Sequence, residues 1–167
     1  MKFSIMSLGL MAVSALAAPM PSQIAPKRDG LTKRAASLED VATTGFATQN
    51  GGTSGGKGGK TIEVSSLSEL ESAVKGEDAA IVLITAPIKG SGENVKIGSN
   101  KSVIGKDSSV VLTDFTLTVK AVKNVILRNF AVEKVVGGDA IAIQEAQNVW
   151  VDHVDLSSDL DHDKDYY

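Results

Sequence analysis

An aspartate in a glycine-rich turn is the first feature of this sequence that could take part in chemistry. Gly137-Gly138-Asp139 stands directly ahead of Ala140-Ile-Ala-Ile143, an apolar stretch typical of a strand. Carboxylate oxygens are preferred ligands of Ca²⁺, which usually takes about six to eight oxygens. Asp139 is therefore a candidate calcium ligand, although an aspartate in such a turn is common and these residues alone favour a plain turn.

The string Trp150-Val-Asp152-His153 is a second candidate. On a strand, Trp150 and Asp152 share one face, whereas Val151 and His153 share the other. His153 could act as a general base, but no serine partner for a hydrolytic triad can be identified. An Asp–His pair held by mutual or backbone hydrogen bonds is the simpler interpretation, and we predict no catalytic residue here.

The glycine-rich segment from Gly51 to Lys57 has nearly the spacing of a phosphate-binding loop. Gly58 stands where the magnesium-binding Ser or Thr is required, and no strand precedes the segment. We reject nucleotide binding and interpret the segment as a flexible loop.

The last ten residues contain alternating aspartates, as at the start of an EF-hand loop. These are Asp159, Asp161, Asp163 and Asp165. The glycine and the glutamate that complete such a loop are missing. We predict a solvated loop with a weak attraction for cations.

The elements that must position these residues are short strands in a repeat. Similar segments begin at Lys101, Lys123 and Gln147. They place Ser102, Asn124 and Asn148 at matching positions, 22 and 24 residues apart. A parallel series contains Thr116–Val119 and Ala140–Ile143. Two short strands per repeat of about 22–25 residues predict a β-solenoid. A β-sandwich remains the alternative, because regular short strands also fit it.

A short helix is predicted ahead of the repeats. Ser66 and Glu69 form a capping-box pattern, and the apolar residues behind it follow helical spacing over residues 67–75. The single apolar face of this helix would cover the open N-terminal end of the solenoid.

The N-terminal sequence predicts export. Residues 1–17 have the charged start, apolar stretch and small-residue cleavage site of a signal peptide. Residues 18–34 end in the dibasic pair Lys33-Arg34 and are interpreted as a pro-segment. A glycine-rich region over residues 35–60 and a β-helix over 61–167 would follow.

Composition limits the classes of partner. The net charge of −3 suggests neither nucleic acid nor an anionic membrane. The chain has no cysteine, so burial and backbone hydrogen bonds must hold an exported fold together. Asn100-Lys101-Ser102 is an N-glycosylation sequon where a strand is predicted, and its use stays open.

Taken together, residues 40–167 resemble polysaccharide lyase family 1, the pectate lyases, and the fungal members most closely. The similar strings include Gly45-Phe-Ala-Thr, Ser99-Asn-Lys-Ser-Val-Ile-Gly-Lys106, Asn124-Val-Ile-Leu-Arg-Asn129, Gly138-Asp-Ala-Ile141 and Asn148-Val-Trp-Val-Asp-His153. The resemblance implies an all-β, right-handed parallel β-helix with a short N-terminal capping helix.

The resemblance also implies a function. Family members are secreted enzymes that cleave de-esterified homogalacturonan (polygalacturonate) by β-elimination, with Ca²⁺ between enzyme carboxylates and the substrate and an arginine as base. A cation on the uronate carboxylate stabilises the charge that develops as the C5 proton leaves. Asp139 matches a calcium-binding aspartate of the family, whereas Gly137 stands where a second aspartate is frequent. Arg128 does not match the catalytic arginine.

Family members are roughly twice as long as this chain, so the resemblance implies an N-terminal piece that is inactive and poorly soluble alone, and a monomer at full length. A pectin lyase, which acts on methyl-esterified substrate without calcium, is the nearest alternative. A non-catalytic β-solenoid that binds cell-wall polysaccharide is an alternative from another class.

Overall fold

The computed structural model describes residues 37–157, which form eight strands, one α-helix and one short 3-10 helix. The strands are β1 (Lys60–Val64), β2 (Ala80–Ile84), β3 (Ile88–Lys96), β4 (Lys101–Gly105), β5 (Val111–Lys120), β6 (Lys123–Glu133), β7 (Ile141–Gln144) and β8 (Gln147–Ser157). Helix α1 (Leu67–Ala73) follows β1, and the 3-10 helix (Phe46–Thr48) precedes it. The described residues belong to one compact unit that begins at Ala35. The predicted signal peptide, pro-segment and acidic tail lie outside the described residues.

All strand pairs are parallel, and successive coils stack so that three sheets run along the molecule. The first sheet contains β1, β2, β4 and the first halves of β6 and β8. The second contains the first residues of β3 and β5 and the last residues of β6 and β8. The third contains the last residues of β3 and β5 together with β7. The predicted parallel β-helix is confirmed.

The corners of the coils explain why each turn has three strands rather than the two predicted. Strands β5, β6 and β8 bend at Asp114, Asn129 and His153, where φ is 61°, 62° and 51°, and so each contributes to two sheets. Asparagine and aspartate reach this left-handed region more easily than branched residues do. Three further asparagines mark the corner before the first sheet: Asn100, Asn124 and Asn148 have φ of 56°, 62° and 53°.

The repeat length is close to the prediction, but one register was wrong. Lys101 pairs with Val125, so Asn100 and not Ser102 is the equivalent of Asn124. Lys123 pairs with Gln147 as predicted, and Leu117 pairs with Ile141. The mismatch arose because Lys101 and Lys123 look alike in sequence but occupy different positions along their coils.

Aliphatic side chains stacked in register form the core. Val82, Val103 and Leu127 are consecutive partners in the first sheet, and each is 0% exposed. Ile88, Leu112 and Val132 stack in the same way in the second sheet. Because these side chains stack in register, each added coil extends a continuous apolar column. Full burial of one such side chain contributes about 1.5–3 kcal/mol to the free energy of unfolding.

Helix α1 closes one end of this column. The predicted capping box is present: Ser66 accepts a hydrogen bond from the Glu69 amide, and Glu69 accepts one from the Ser66 amide. Leu70 and Val74 are fully buried against the core. The helix ends two residues earlier than predicted but contacts β1, β2 and β3, as a cap must.

Residues 37–59, which we call the N-terminal arm, cover the outer face of the first sheet. The amides of Ser54 and Gly55 donate to Asn124 Oδ1 at 2.8 and 2.7 Å, and the Gly56 amide donates to Ser102 Oγ at 2.9 Å. A Cβ atom on Gly56 would lie 1.9 Å from the Ala80 carbonyl oxygen. The interpretation as a flexible loop was wrong, because this glycine permits close backbone approach rather than motion.

No helix among residues 37–157 is long and apolar enough to cross a membrane.

Candidate functional site

Asp139 lies in the loop between β6 and β7, beside the outer face of the third sheet. The Leu117 amide in β5 donates to the Ala140 carbonyl at 3.1 Å, which fixes the end of this loop on the neighbouring coil. A Cβ atom on Gly138 would lie 3.2 Å from Thr116 Oγ1, so the loop backbone rests on the outward side chains of β5. The Asp139 side chain is exposed and makes no hydrogen bond or ion pair with another described residue. Its carboxylate is therefore available to a ligand.

One carboxylate does not make a calcium site. Within residues 37–157, no three His, Cys, Asp or Glu side chains come together as a metal-binding group. Gly137, which stands where the family resemblance implies a second aspartate, has φ of 74°, and no atom lies within 4 Å of a Cβ built there. Because Ca²⁺ takes about six to eight oxygens, the side chains of the described residues supply too few carboxylates for a complete site.

The Trp150–His153 string is part of a polar cluster on the first sheet. Asp152 Oδ2 lies 2.8 Å from His153 Nδ1 and 3.0 Å from Arg128 Nε. The Arg128 guanidinium lies over the Trp150 ring, 5.3 Å from its centroid. Arg128 Nε lacks a hydrogen-bond partner of acceptable alignment, so its contact with Asp152 is an ion pair. The structure thus places an Asp–His pair here, in agreement with the simpler interpretation.

This cluster holds the N-terminal arm. Arg128 donates from Nη1 to Asp40 Oδ2 at 2.7 Å, and its side chain is 13% exposed. Asn148 Nδ2 adds a bond from β8 to the Gln49 carbonyl at 2.8 Å. Arg128 is the only arginine among residues 37–157. Because its guanidinium is occupied by Asp40, Asp152 and Trp150, it has no room for a substrate.

The asparagine corners are a structural feature that sequence reasoning recognised only in part. Asn124 Nδ2 donates to Asn100 Oδ1 at 2.9 Å and to the Gly55 carbonyl at 3.1 Å. The 24-residue spacing of Asn100, Asn124 and Asn148 was the available signal. The sequon nitrogen, Asn100 Nδ2, donates to the Glu77 carbonyl at 2.8 Å, and Ser102 is 1% exposed. The nitrogen that a glycan would modify is thus engaged in a hydrogen bond at this corner.

The structural role of Lys101 was also not predicted from the sequence. It is 1% exposed, and its Nζ donates to the carbonyls of Gly76, Asp78 and Ser99 at 3.0, 2.6 and 3.0 Å. Burial lowers the pKa of Lys101, opposed by the charges of Asp78 and Glu77. The ammonium group therefore joins two turns of the chain and is unavailable to ligands.

Comparisons with known proteins agree with the fold and with the resemblance. A family model described as pectate lyase matches residues 14–165. Pectate lyase A of Emericella nidulans is 49% identical over 155 residues, which are 92% of this chain and 46% of that protein. Probable pectate lyase A of Aspergillus fumigatus is 52% identical over 171 residues, 100% of this chain and 50% of that protein. The chain thus spans about half the length of these curated relatives.

A solved structure is similar in fold. The pectate lyase from Bacillus sp. N165, crystallised in complex with trigalacturonate, superposes with a TM-score of 0.65 at 22% sequence identity. The match covers 74% of this chain and 45% of that one. At this identity the likeness concerns the fold. The family assignment rests on the match over residues 14–165, and by it the chain belongs to the pectate lyase family.

Proposed function

We propose that this protein is a secreted pectate lyase that cleaves polygalacturonate by calcium-assisted β-elimination. The observation that carries the proposal is the family match over residues 14–165. Relatives about half identical to this chain are named pectate lyases, which supports the same reaction here. Because the chain spans about half of their length, the described residues supply only part of the machinery.

The proposed part is a single calcium ligand, Asp139. Its exposed carboxylate, without a partner among the described residues, suits this role. Calcium, when bound, would join the enzyme to a substrate carboxylate and stabilise the negative charge that develops during elimination. Residues 37–157 offer no free arginine as base, since Arg128 is engaged on the first sheet. Asp139 would bind and orient, while proton transfer would fall to other residues.

The substrate is proposed from the names of the relatives and from the Bacillus enzyme, which was crystallised with trigalacturonate. De-esterified galacturonan carries a carboxylate on each sugar, so a cation-assisted site favours it over the neutral methyl ester. Export and a monomeric state complete the proposal. Amino-terminal sequencing of the secreted protein would test export, with cleavage after Ala17 or Arg34 as the expected result.

The test of the activity uses the protein secreted by its natural host. We expect ultraviolet absorbance of unsaturated products from polygalacturonate, lost on addition of a chelator and restored by Ca²⁺. Asp139→Asn should raise the calcium concentration required by about tenfold or more, since loss even of residues supporting a metal ligand costs about 10–100-fold. Asp155→Asn, an exposed change on the second sheet, is the matched control.

Two results would contradict the proposal. Cleavage of methyl-esterified pectin that is indifferent to the chelator would indicate a pectin lyase. Binding of the polysaccharide without any unsaturated product would indicate a non-catalytic solenoid. If Asp139→Asn and Asp155→Asn behaved alike, Asp139 would not be a ligand.

A further inference from the structure

One turn in the N-terminal arm brings together two residues that can react with each other. Asn50 and Gly51 are exposed and form the centre of this turn, which a hydrogen bond from the Gly52 amide to the Gln49 carbonyl closes at 2.9 Å. Both central residues have positive φ, 50° for Asn50 and 91° for Gly51. These features define a type I′ turn, in which Asn-Gly is a preferred pair.

An asparagine that precedes a glycine can undergo a reaction without any enzyme. The backbone nitrogen of the glycine attacks Cγ of the asparagine, and an N–Cγ bond forms as the Cγ–Nδ2 bond breaks. Ammonia leaves with the proton of the attacking nitrogen. Water then opens the resulting succinimide at either carbonyl, which gives aspartate or isoaspartate. A side chain on the second residue would hinder the attack, so glycine permits it best.

The Gly51 nitrogen is available for this attack. Among residues 37–157 it donates no hydrogen bond, whereas the amides of Gln49 and Gly52, on either side of the pair, both donate to backbone carbonyls. No atom lies within 4 Å of a Cβ built at Gly51. The turn is therefore open around this residue.

The Asn50 side chain is equally available, and in this respect it differs from every other asparagine of the chain. Its amide forms no hydrogen bond with another described residue. The other five asparagines hold their side chains in hydrogen bonds, and none of them precedes a glycine. Their contacts are those of Asn94 with Thr118, Asn100 with Glu77, Asn124 with Asn100, Asn129 with Gly105 and Asn148 with Gln49.

The turn also lies at a contact that holds the N-terminal arm. The Gln49 carbonyl, which closes the turn, accepts a second hydrogen bond from Asn148 Nδ2 in β8 at 2.8 Å. Isoaspartate would add one carbon atom to the main chain between Asn50 and Gly51, inside the ring that the Gly52–Gln49 hydrogen bond closes. The turn must then rearrange, which moves the Gln49 carbonyl relative to Asn148 and weakens this link between the arm and β8.

We propose that Asn50-Gly51 is a site of spontaneous modification, where ring closure and hydrolysis convert Asn50 to aspartate and isoaspartate. The isoaspartyl product loosens the N-terminal arm at β8. Either product adds a negative charge to a chain of net charge −3. The reaction needs only water and involves neither Asp139 nor the lyase activity, so this inference is independent of the proposed function.

The test incubates the 167-residue chain at mildly alkaline pH, where backbone nitrogens lose their protons more readily, and follows each asparagine by peptide mass spectrometry. Trypsin cleaves after Arg34 and Lys57, and the peptide between them contains Asn50 as its single asparagine. We expect Asn50 to convert at least about fivefold faster than any other asparagine, since release of a hydrogen bond alone slows the others by that factor. Enzymatic methylation of isoaspartyl groups should label the same peptide.

Two variants serve as matched controls for the reaction and for the loosening. Asn50→Gly should abolish the conversion and keep the fold, because Gly-Gly also forms a type I′ turn. Fresh Asn50→Asp carries the added charge without the longer main chain. Acrylamide quenching of Trp150, two residues from Asn148 on β8, should rise in the aged, isoaspartyl protein and stay unchanged in both fresh variants.

A smaller margin of Asn50 over the other asparagines would overturn the proposed site, as would fragment ions that place the mass change at Gln49. Unchanged quenching in the isoaspartyl protein, or an equal rise in fresh Asn50→Asp, would overturn the loosening of the arm. Circular dichroism of each variant guards against unfolding. If Asn50→Gly failed to fold, the five hydrogen-bonded asparagines of the same sample would still provide the control.

Discussion

Among single residues, Lys101 shows most clearly how a charge can serve structure. Its ammonium donates to three carbonyls within 3.0 Å. Lys101→Met would keep the volume of the stem but remove the donor from one buried and two partly buried carbonyls. We expect a loss of about 2–4 kcal/mol in the free energy of unfolding, measured by urea denaturation. Lys123→Met, an exposed change on the next coil, should cost less than about 0.5 kcal/mol.

The difference in the free energy of unfolding between the unaltered protein and Lys101→Met should change with pH in one direction. Burial lowers the pKa of Lys101 from its ordinary value of 10.5, so the folded protein releases this proton at a lower pH than the unfolded chain does. Between the two values the unfolded chain binds more protons, and stability rises with pH. The advantage of the unaltered protein over Lys101→Met should therefore widen as pH rises toward 10.5. A narrowing would contradict the assignment.

Residues also show where prediction from sequence reaches its limit. Asp139 was proposed as a ligand only by resemblance, because a glycine-rich turn alone does not distinguish a metal site from a corner. Ser102 was matched to Asn124 because each follows a lysine in similar segments, and the correct partner, Asn100, lies two residues earlier. Burial of a charge depends on distant carbonyls, here those of Gly76 and Asp78, which no local pattern reveals.

Elements built on local signals were predicted well. Strand β2 has the predicted bounds Ala80–Ile84, and α1 begins behind its capping box. Both depend on neighbouring residues, namely an apolar run or a side chain that reaches its own backbone. The N-terminal arm was misinterpreted since its glycines serve contacts about 25 to 70 residues away in sequence, such as Gly56 with Ala80 and Gly55 with Asn124.

The capping box should make helix α1 sensitive to acid. Hydrogen bonds from the Ser65 amide, and from Ser66, lower the pKa of Glu69 below its ordinary value of 4.5. The contribution of Glu69 to the free energy of unfolding is thus fully present above pH 4.5. It is lost as pH falls through the lowered pKa. By urea denaturation, the unaltered protein should be more stable than Glu69→Gln by a constant amount near neutrality, and this difference should shrink in acid. Glu71→Gln, without these bonds, should show no such trend.

A methyl group added at Gly56 should detach the N-terminal arm from the first sheet. In Gly56→Ala the added Cβ would lie 1.9 Å from the Ala80 carbonyl oxygen, which belongs to backbone and cannot move aside cheaply. We expect the arm to separate from the first sheet and Trp150, the only tryptophan, to become more accessible to acrylamide quenching. Gly58→Ala, where no atom lies within 4 Å, should cost only about 1 kcal/mol through its φ of 78°. Equal quenching in both variants would contradict this docking.

The whole molecule is a stack in which each coil depends on its neighbours. Strand β4 is paired on both sides, by β2 and β6, whereas β8 is paired with β6 alone among the described strands. Burial follows the same gradient: Val103 in β4 is 0% exposed, while Val151 and Leu156 in β8 are 40% and 53% exposed. In such quasi-one-dimensional folds, stability is a sum of repeat and interface terms.

Hydrogen exchange should reveal this gradient directly. In the 167-residue chain, after correction for intrinsic rates, we expect amides of β8 to exchange about tenfold or more faster than those of β4, since local opening spans a wide range of free energies. Val103→Ala, in the middle of the column, should accelerate exchange in every strand, because it lowers the stability of the whole stack. Val151→Ala should accelerate exchange mainly in β8. If both variants changed all strands equally, the described residues would unfold as a single unit, and the nearest-neighbour description would not apply.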